Sequence, residues 1–274
     1  MSVVARRRAF LEMQRHMTLG GVLFAAGACA AVCALGIRDA GARTLAEIQA
    51  LDSISMCANP DALPYSSNRA DLPGFQIEIA REVAHGLGFP LRIEWVVPRR
   101  RVKEVDCDML LDRANDPDLK SRDRLLSVPY QKQSITLGLG HNADGVKSLG
   151  DLKPQQKIGV MVGSVASVVL GKRGVSISPY AFQNDMLSDV QAGQLAGAAT
   201  ASATLSYFVQ QHPEAGLRLV SLDGEPGLEW TVSIGLRRAD DALLAEVNRV
   251  VESLLADGTI ERIYAKYGIE HRQP

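Results

Sequence analysis

SISMCANPDALPYSSNRADLPGFQIEIAREVAHGLGFPLRIEWVV, residues 53–97, reads as one complete folding unit. Residues 53–57 form a short strand-like run, and residues 59–73 break it with three prolines, two asparagines and two aspartates. An amphipathic helix pattern follows. Ile77, Ala80, Val83, Ala84 and Leu87 recur at three- and four-residue spacing, with Glu78, Arg81, Glu82 and His85 off that stripe. Gly86 and Gly88 close the helix. Residues 91–97 form a second strand, rich in branched and aromatic side chains. Strand, long loop, helix and strand make a βαβ unit, which implies a parallel sheet. Ligands of such sheets sit beyond the carboxyl ends of the strands, so a pocket is expected at the Pro64-Tyr65-Ser66-Ser67-Asn68 loop.

Outward from this unit, the chain of 274 residues is 46% hydrophobic and 22% charged, which excludes disordered and collagen-like classes and leaves room for two modest lobes. Residues 1–42 are expected to be an export signal. Arg6-Arg7-Arg8-Ala9-Phe10-Leu11 precedes an apolar run over residues 17–37, and Ala40-Gly41-Ala42 supplies a small-x-small cleavage pattern. Arg7-Arg8 ahead of Phe10-Leu11 points to the twin-arginine route. The alternative is an uncleaved membrane anchor, for which this alanine- and glycine-rich run is weakly hydrophobic. Five arginines and two acids fall within the segment, so 25 of the 30 basic and 29 of the 31 acidic side chains remain beyond it, a net charge of −4. Nothing in that balance asks for a nucleic-acid partner, and the membrane enters only through the export signal.

Two cysteines remain, Cys57 at the end of the first strand and Cys107 at the start of the third. In a parallel sheet whose first and third strands are neighbours the two can meet, and an oxidising compartment lets them pair as a disulfide. The alternative is two buried free thiols. The basic run over residues 98–104 reads as a solvated face. The histidines are scattered, there is no Cys-x-x-Cys or His-x-x-x-His spacing for a metal, and no Gly-x-Ser-x-Gly or phosphate loop. No enzyme activity, metal or cofactor is expected.

Gly-Phe-x-x-x-Ile-Ala-x-x-x-Ala-x-x-Leu-Gly over residues 74–88, after a strand and a Pro-aromatic loop, resembles the first lobe of periplasmic solute-binding proteins of the polar-amino-acid type. Thr259-Ile260, then Ile263-Tyr264 and Lys266-Tyr267-Gly268, resemble the C-terminal signature of the same family. The resemblance implies an α/β, two-lobed type II periplasmic-binding fold, each lobe a mostly parallel sheet flanked by helices, with two hinge crossings. It implies lobe 1 over residues 43–141, lobe 2 over residues 142–232, and a return to lobe 1 with C-terminal helices over residues 233–274. Residues 98–106 are too short for the full helix that the family carries between its second and third strands.

The same resemblance supplies ligand-binding candidates. Tyr65 and Ser66 lie on the pocket loop. Arg122 or Arg124, ahead of Ser127-Val128-Pro129-Tyr130, matches the family arginine that clamps a ligand carboxylate with its two-pronged guanidinium; the alternative is pairing with Asp118 and Asp123 on the surface. Ser164, in the Val162-Gly163-Ser164 turn, matches a turn that offers N–H groups and a hydroxyl to an anion, although serine is equally a helix N-cap. Thr200 and Ser202 fall in the element where amino-acid binders place an aspartate against the ligand ammonium; here Ala201 stands at that position. Burying an ammonium without a carboxylate costs several kcal/mol, so the expected solute is anionic and not a standard amino acid.

A narrower resemblance is carried by Met56-Cys57-Ala58-Asn59-Pro60-Asp61-Ala62-Leu63-Pro64-Tyr65-Ser66 and by the stretch from Trp230 to Leu243. Both look like the solute-binding-type proteins associated with pyrroloquinoline quinone (quinoprotein) alcohol dehydrogenases of methylotrophs. The functions to separate are therefore delivery of a small solute to an ABC importer permease, service to a periplasmic quinoprotein dehydrogenase as partner or maturation factor, and a hydrolase or dehydratase on the same fold. A closable pocket with a carboxylate-binding arginine favours the first, an open cleft with apolar lips the second, and clustered perturbed carboxylates the third.

Overall fold

The computed structural model describes residues 43–97, 105, 107–115 and 124–274. The described chain opens with the helix α1 (Leu45–Leu51). Thr44 and Glu47 form a reciprocal capping box at its start, a Thr-x-x-Glu signal present in the sequence. β1 (Ile54–Ala58) is buried throughout, and the loop beyond it carries a two-stranded hairpin of β2 (Asp61–Ala62) and β3 (Ser66–Ser67). α2 (Phe75–Leu87) follows and ends on Gly88 at φ 83°, a left-handed cap. Gly86 lies inside the helix, where a Cβ would meet Val250 at 2.6 Å.

β4 (Leu91–Trp95) and β5 (Met109–Ala114) both pair in parallel with β1. A strand flanked on both sides is buried on both faces, which accounts for the apolar run in β1. Neighbouring β1 and β5 bring Cys57 and Cys107 to a Cα separation of 5.5 Å, and the two form the expected disulfide. Beside it, the buried Asp108 carboxylate accepts hydrogen bonds from the Ser55 amide at 2.7 Å and hydroxyl at 2.6 Å and faces Arg43 at 3.3 Å.

β6 (Arg124–Leu139) runs for 16 residues and belongs to both lobes. Beyond it lie β7 (Ile158–Met161), α3 (Val165–Lys172), β8 (Ile177–Tyr180), α4 (Gln183–Gln191), β9 (Gly197–Ala201), α5 (Ser202–Gln211), β10 (Arg218–Ser221) and β11 (Glu229–Arg237). α6 (Asp241–Ala256) and α7 (Thr259–Lys266) close the chain. The α6 stripe of Leu243, Val247, Val250, Val251 and Leu254 is buried against lobe 1, each side chain contributing about 1.5–3 kcal/mol.

β6 pairs with β11 from Arg124 to Ser134, then with β9 from Ile135 onward and with β10 from Thr136 onward. The passage between lobes is thus made inside one strand, ahead of the stretch over residues 141–145 at which the sequence suggests it. An unbroken strand can change neighbours without a turn, so no local signal marks the spot. β11 returns with Glu229 opposite Ser134. The chain end then runs back along β6. Lys132 donates its amide to the Arg272 carbonyl at 2.8 Å, and the Arg272 guanidinium reaches Ser134, Asp223 and Glu229.

These pairings fix how the lobes face each other. β5 is antiparallel to β11 and β11 to β6, so β5, β1 and β4 run the same way as β6, with their carboxyl ends toward lobe 2. β9 is antiparallel to β6 and parallel to β7, which is parallel to β8, so their carboxyl ends point back toward lobe 1. The two sets of ligand-bearing strand ends confront one another across a crevice.

Candidate functional site

On the lobe 1 side the loop carrying Tyr65 is pinned to the start of α2. The Pro64 and Tyr65 carbonyls accept the Phe75 and Gln76 amides at 2.9 and 3.0 Å, satisfying donors that a helix start leaves free. Gly74 permits this: its φ is +96°, and a Cβ there would stand 2.5 Å from the Tyr65 carbonyl oxygen. Gly74 also donates its amide to the Tyr267 hydroxyl at 2.9 Å, which in turn donates to Glu78 at 2.7 Å. Ser66 is buried, and its hydroxyl donates to the Asn59 carbonyl at 2.8 Å; it braces the loop.

The Tyr65 ring lies 5.0 Å from Phe75, and Phe75 lies 4.5 Å from Tyr264. Below them Tyr130 donates to the Leu111 carbonyl and Tyr264 to the Gln131 side chain. Burial pushes the Tyr130 and Tyr264 hydroxyls far above the ordinary tyrosine range, with the Asp112 charge adding to the rise at Tyr130. Both are neutral donors at any physiological pH.

One chain of uncharged groups joins the lobes. Gln133 Nε2 donates to the Tyr65 hydroxyl at 3.3 Å, the Tyr65 and Thr204 hydroxyl oxygens are 3.2 Å apart, and Thr204 reaches Gln183 Oε1 at 3.5 Å. Tyr65 comes from lobe 1, Gln133 from the crossing strand, and Thr204 and Gln183 from α5 and α4 of lobe 2. The start of α5 is seated on lobe 1, since Ala203 is wholly buried in the lobe 1 core. The sequence reading named only Tyr65 of these four. Its available signal was Gln131-Lys132-Gln133, two amides on one face of an otherwise apolar strand.

The lobe 2 side differs in kind. Ser164 is the N-cap of α3, its Oγ accepting the Ser167 amide at 3.1 Å, and its own amide is bonded to Met161. Thr200 is buried in β9 opposite Thr136, while Ser202 is half-buried at the start of α5, a helix without a side-chain cap. Residues 162–171, 181–184 and 197–211, which include the turns beyond β7, β8 and β9, contain no Asp, Glu, Lys, Arg or His. Asp185 is exposed, and Asp189 accepts a hydrogen bond from Tyr180 at 2.5 Å.

Of the two candidate arginines, Arg122 lies outside the described residues, and Arg124 opens β6 opposite Arg237, its side chain likewise outside what is described. A third arginine stands at the end of β5. Arg113 lies over Gly235, pairs with Asp112 at 3.2 Å, and keeps a buried Nε without a hydrogen-bond partner. Ser233, opposite it on β11, has a buried Oγ that also lacks a partner. Among the described residues no group of three His, Cys, Asp or Glu side chains is placed to hold a metal.

Residues 54–270 match one family model, that of the bacterial extracellular solute-binding proteins, family 3. The chain belongs to that family. Within it the chain is similar to a probable histidine-binding protein of Neisseria gonorrhoeae, 22% identical over 77% of this chain and 81% of the relative. It is also similar to a probable amino-acid ABC transporter-binding protein of Haemophilus influenzae, 24% identical over 70% of this chain and 74% of the relative. Among solved structures it resembles the ancestral amino acid-binding protein AncCDT-1, a precursor of cyclohexadienyl dehydratase, with a TM-score of 0.68. That match, at 21% identity, covers 81% of this chain and 98% of the other and establishes the two-lobed fold.

Proposed function

We propose that this chain is an exported, periplasmic binding protein that holds a small solute in the crevice between its lobes and delivers it to an importer of the ABC type. The opposed strand ends, joined by a crossing strand and bridged by Tyr65, Gln133 and Thr204, carry this reading. Family membership and the ABC-transporter relative support it. Residues 1–42 supply the export signal, of the twin-arginine type, and lie outside the described residues.

The solute of this reading is anionic and is not a standard amino acid. Lobe 2 has no carboxylate where an ammonium would sit: Ala201, Ser202 and Thr204 occupy that end of β9, and an unpaired buried ammonium costs several kcal/mol. On lobe 1 the buried Arg113 Nε is a donor without a partner, although its guanidinium also faces Asp112, and Arg122 and Arg124, whose side chains are not described, are the further candidates for an anion. Ser164, Thr200 and Ser202 stay as lobe 2 contacts in this proposal, with Tyr65 and Ser66 on lobe 1.

Native mass spectrometry of the protein taken from its own periplasm tests the reading. An anionic small molecule lost on denaturation is the expected result; a co-purified standard amino acid, or micromolar binding of histidine, arginine or cystine, overturns the solute class. A second reading, partner or maturation factor of a periplasmic quinoprotein dehydrogenase, is favoured by one observation, the exposed apolar side chains on the crevice rim. A dehydrogenase subunit co-purifying with a solute-free protein would select it.

A further inference from the structure

Eight large hydrophobic side chains are exposed among the described residues, and five of them stand at the crevice ends of strands. Trp95 (42% exposed) ends β4 and Val97 (56%) follows it on lobe 1; Val162 (68%), Val165 (41%) and Phe182 (70%) stand beyond β7 and β8 on lobe 2. Val162 and Phe182 form one lip, and Val165 opens α3 three residues after Val162. Met161 and Tyr180 are register partners at the ends of adjacent parallel strands, and the Val162 amide is bonded to the Tyr180 carbonyl at 2.9 Å, so Val162 and Phe182 leave the sheet side by side. Exposed apolar groups gathered at one place mark a surface that is covered in use.

We infer that the solute carries an apolar body, an aromatic ring or branched alkyl group with a single anionic head, and that its apolar end is covered by Val162, Val165 and Phe182. The inference rests on the solute-binding reading above and names the substrate class within it. Charge complementarity selects this occupant. With no Asp, Glu, Lys, Arg or His in residues 162–171, 181–184 and 197–211, a second charged group covered by these segments would lack a counter-charge. An alkyl or aryl group there has apolar partners instead. The lip is continuous with the Tyr65–Thr204 bridge through α4, whose first residue, Gln183, follows Phe182 and is the last member of that chain.

The test uses the full mature protein and titration calorimetry with phenylacetate, 4-methylpentanoate, succinate, phenylalanine and histidine, together with native mass spectrometry after exposure to a periplasmic extract. Phenylacetate or 4-methylpentanoate is expected to bind at least tenfold tighter than succinate or phenylalanine. Phe182→Ala and Val162→Ser are each expected to weaken that binding at least fivefold, while Leu51→Ser, an exposed apolar position on α1, leaves it unchanged. Both lip residues are exposed, so the variants should fold as the parent does, which an unchanged melting temperature checks. Succinate binding as tightly as phenylacetate, or a solute retained from the extract whose affinity ignores Phe182→Ala, overturns the inference and leaves the solute-binding reading standing. Retention of no small molecule from panel or extract overturns both, and loss of a co-purifying protein on Phe182→Ala then reassigns the lip to a protein partner.

Discussion

Lobe 1 meets the crevice with the Tyr65 loop, braced by further hydrogen bonds, and an arginine–carboxylate pair at the end of β5; lobe 2 meets it with Thr204 and Gln183 beside valine, serine and an exposed phenylalanine. The contrast reaches beneath the surface. Behind the Tyr65 loop lie a disulfide, a buried Asp108 with three donors around it, and a stack of aromatic rings. Behind the lobe 2 lip, Ser164 spends its hydroxyl on capping its own helix. A preorganised face fixes a polar head at small entropic cost, whereas an uncharged, apolar face gains mainly from excluding water when it closes. On the proposed function, lobe 1 would orient the solute and lobe 2 would cover its apolar end.

That division can be broken first at the disulfide. The Cys57–Cys107 link spans 50 residues of sequence, so on the chain-entropy model its reduction should destabilise lobe 1 by about 4 kcal/mol. Urea unfolding with and without reductant measures this, and equal midpoints would show that the rigidity of lobe 1 lies elsewhere. Next is Gly74→Ala. It forces a positive φ on a residue with a Cβ and drives that Cβ against the Tyr65 carbonyl, for a loss of about 2–3 kcal/mol in urea unfolding and a displaced Tyr65. Solute affinity should fall with it.

The bridge between lobes tests whether the two faces are coupled at all. Tyr65→Phe and Thr204→Val should each cost about 1 kcal/mol, and the double variant should cost less than their sum by about 0.5 kcal/mol or more. Strict additivity in denaturant unfolding would mean that the hydroxyls do not work together. The smallest expected effect is Arg272→Ala at the chain end, under about 1 kcal/mol, because its partners Asp223 and Glu229 are partly open to solvent. The Glu229 carboxyl is lowered by its bond to Lys132 and, with burial opposing, by Arg272; Asp223 is lowered by Ser134, Ser221 and Arg272, which outweigh its burial. A lowered folded-state pKa means that the unfolded chain binds more protons. The contribution is therefore present above the unfolded carboxylate range, about pH 4, and is lost as pH falls through the folded values. The urea midpoints of parent and Arg272→Ala should differ at pH 7 and converge below about pH 4.

Much of lobe 1 was legible because its signals are local. The α2 stripe, the glycine that ends it and the apolar β1 are read from neighbours in sequence. The α1 capping box is equally local, but a seven-residue helix with one buried side chain has little periodicity to show. The candidate site was legible only in part. Tyr65 was found from its loop, but Gln133, Gln183 and Thr204 are ordinary polar residues until folding brings them to it. Ser66 and Ser164 were named as ligand contacts; in the structure the first hydroxyl braces a loop and the second caps a helix.

Composition and order determined that lobe 2 would bring no carboxylate to the end of β9 and that the chain would hold a βαβ unit over residues 53–97. Those properties depend on residue type and on spacings of two to four residues, which a sequence displays directly. Only the tertiary structure decided where the chain passes between lobes, that Tyr65 meets Thr204 across 139 residues of sequence, and that Val162 and Phe182 share one lip. Contacts of that separation are set by how whole sheets pack and pair, and no local preference encodes them.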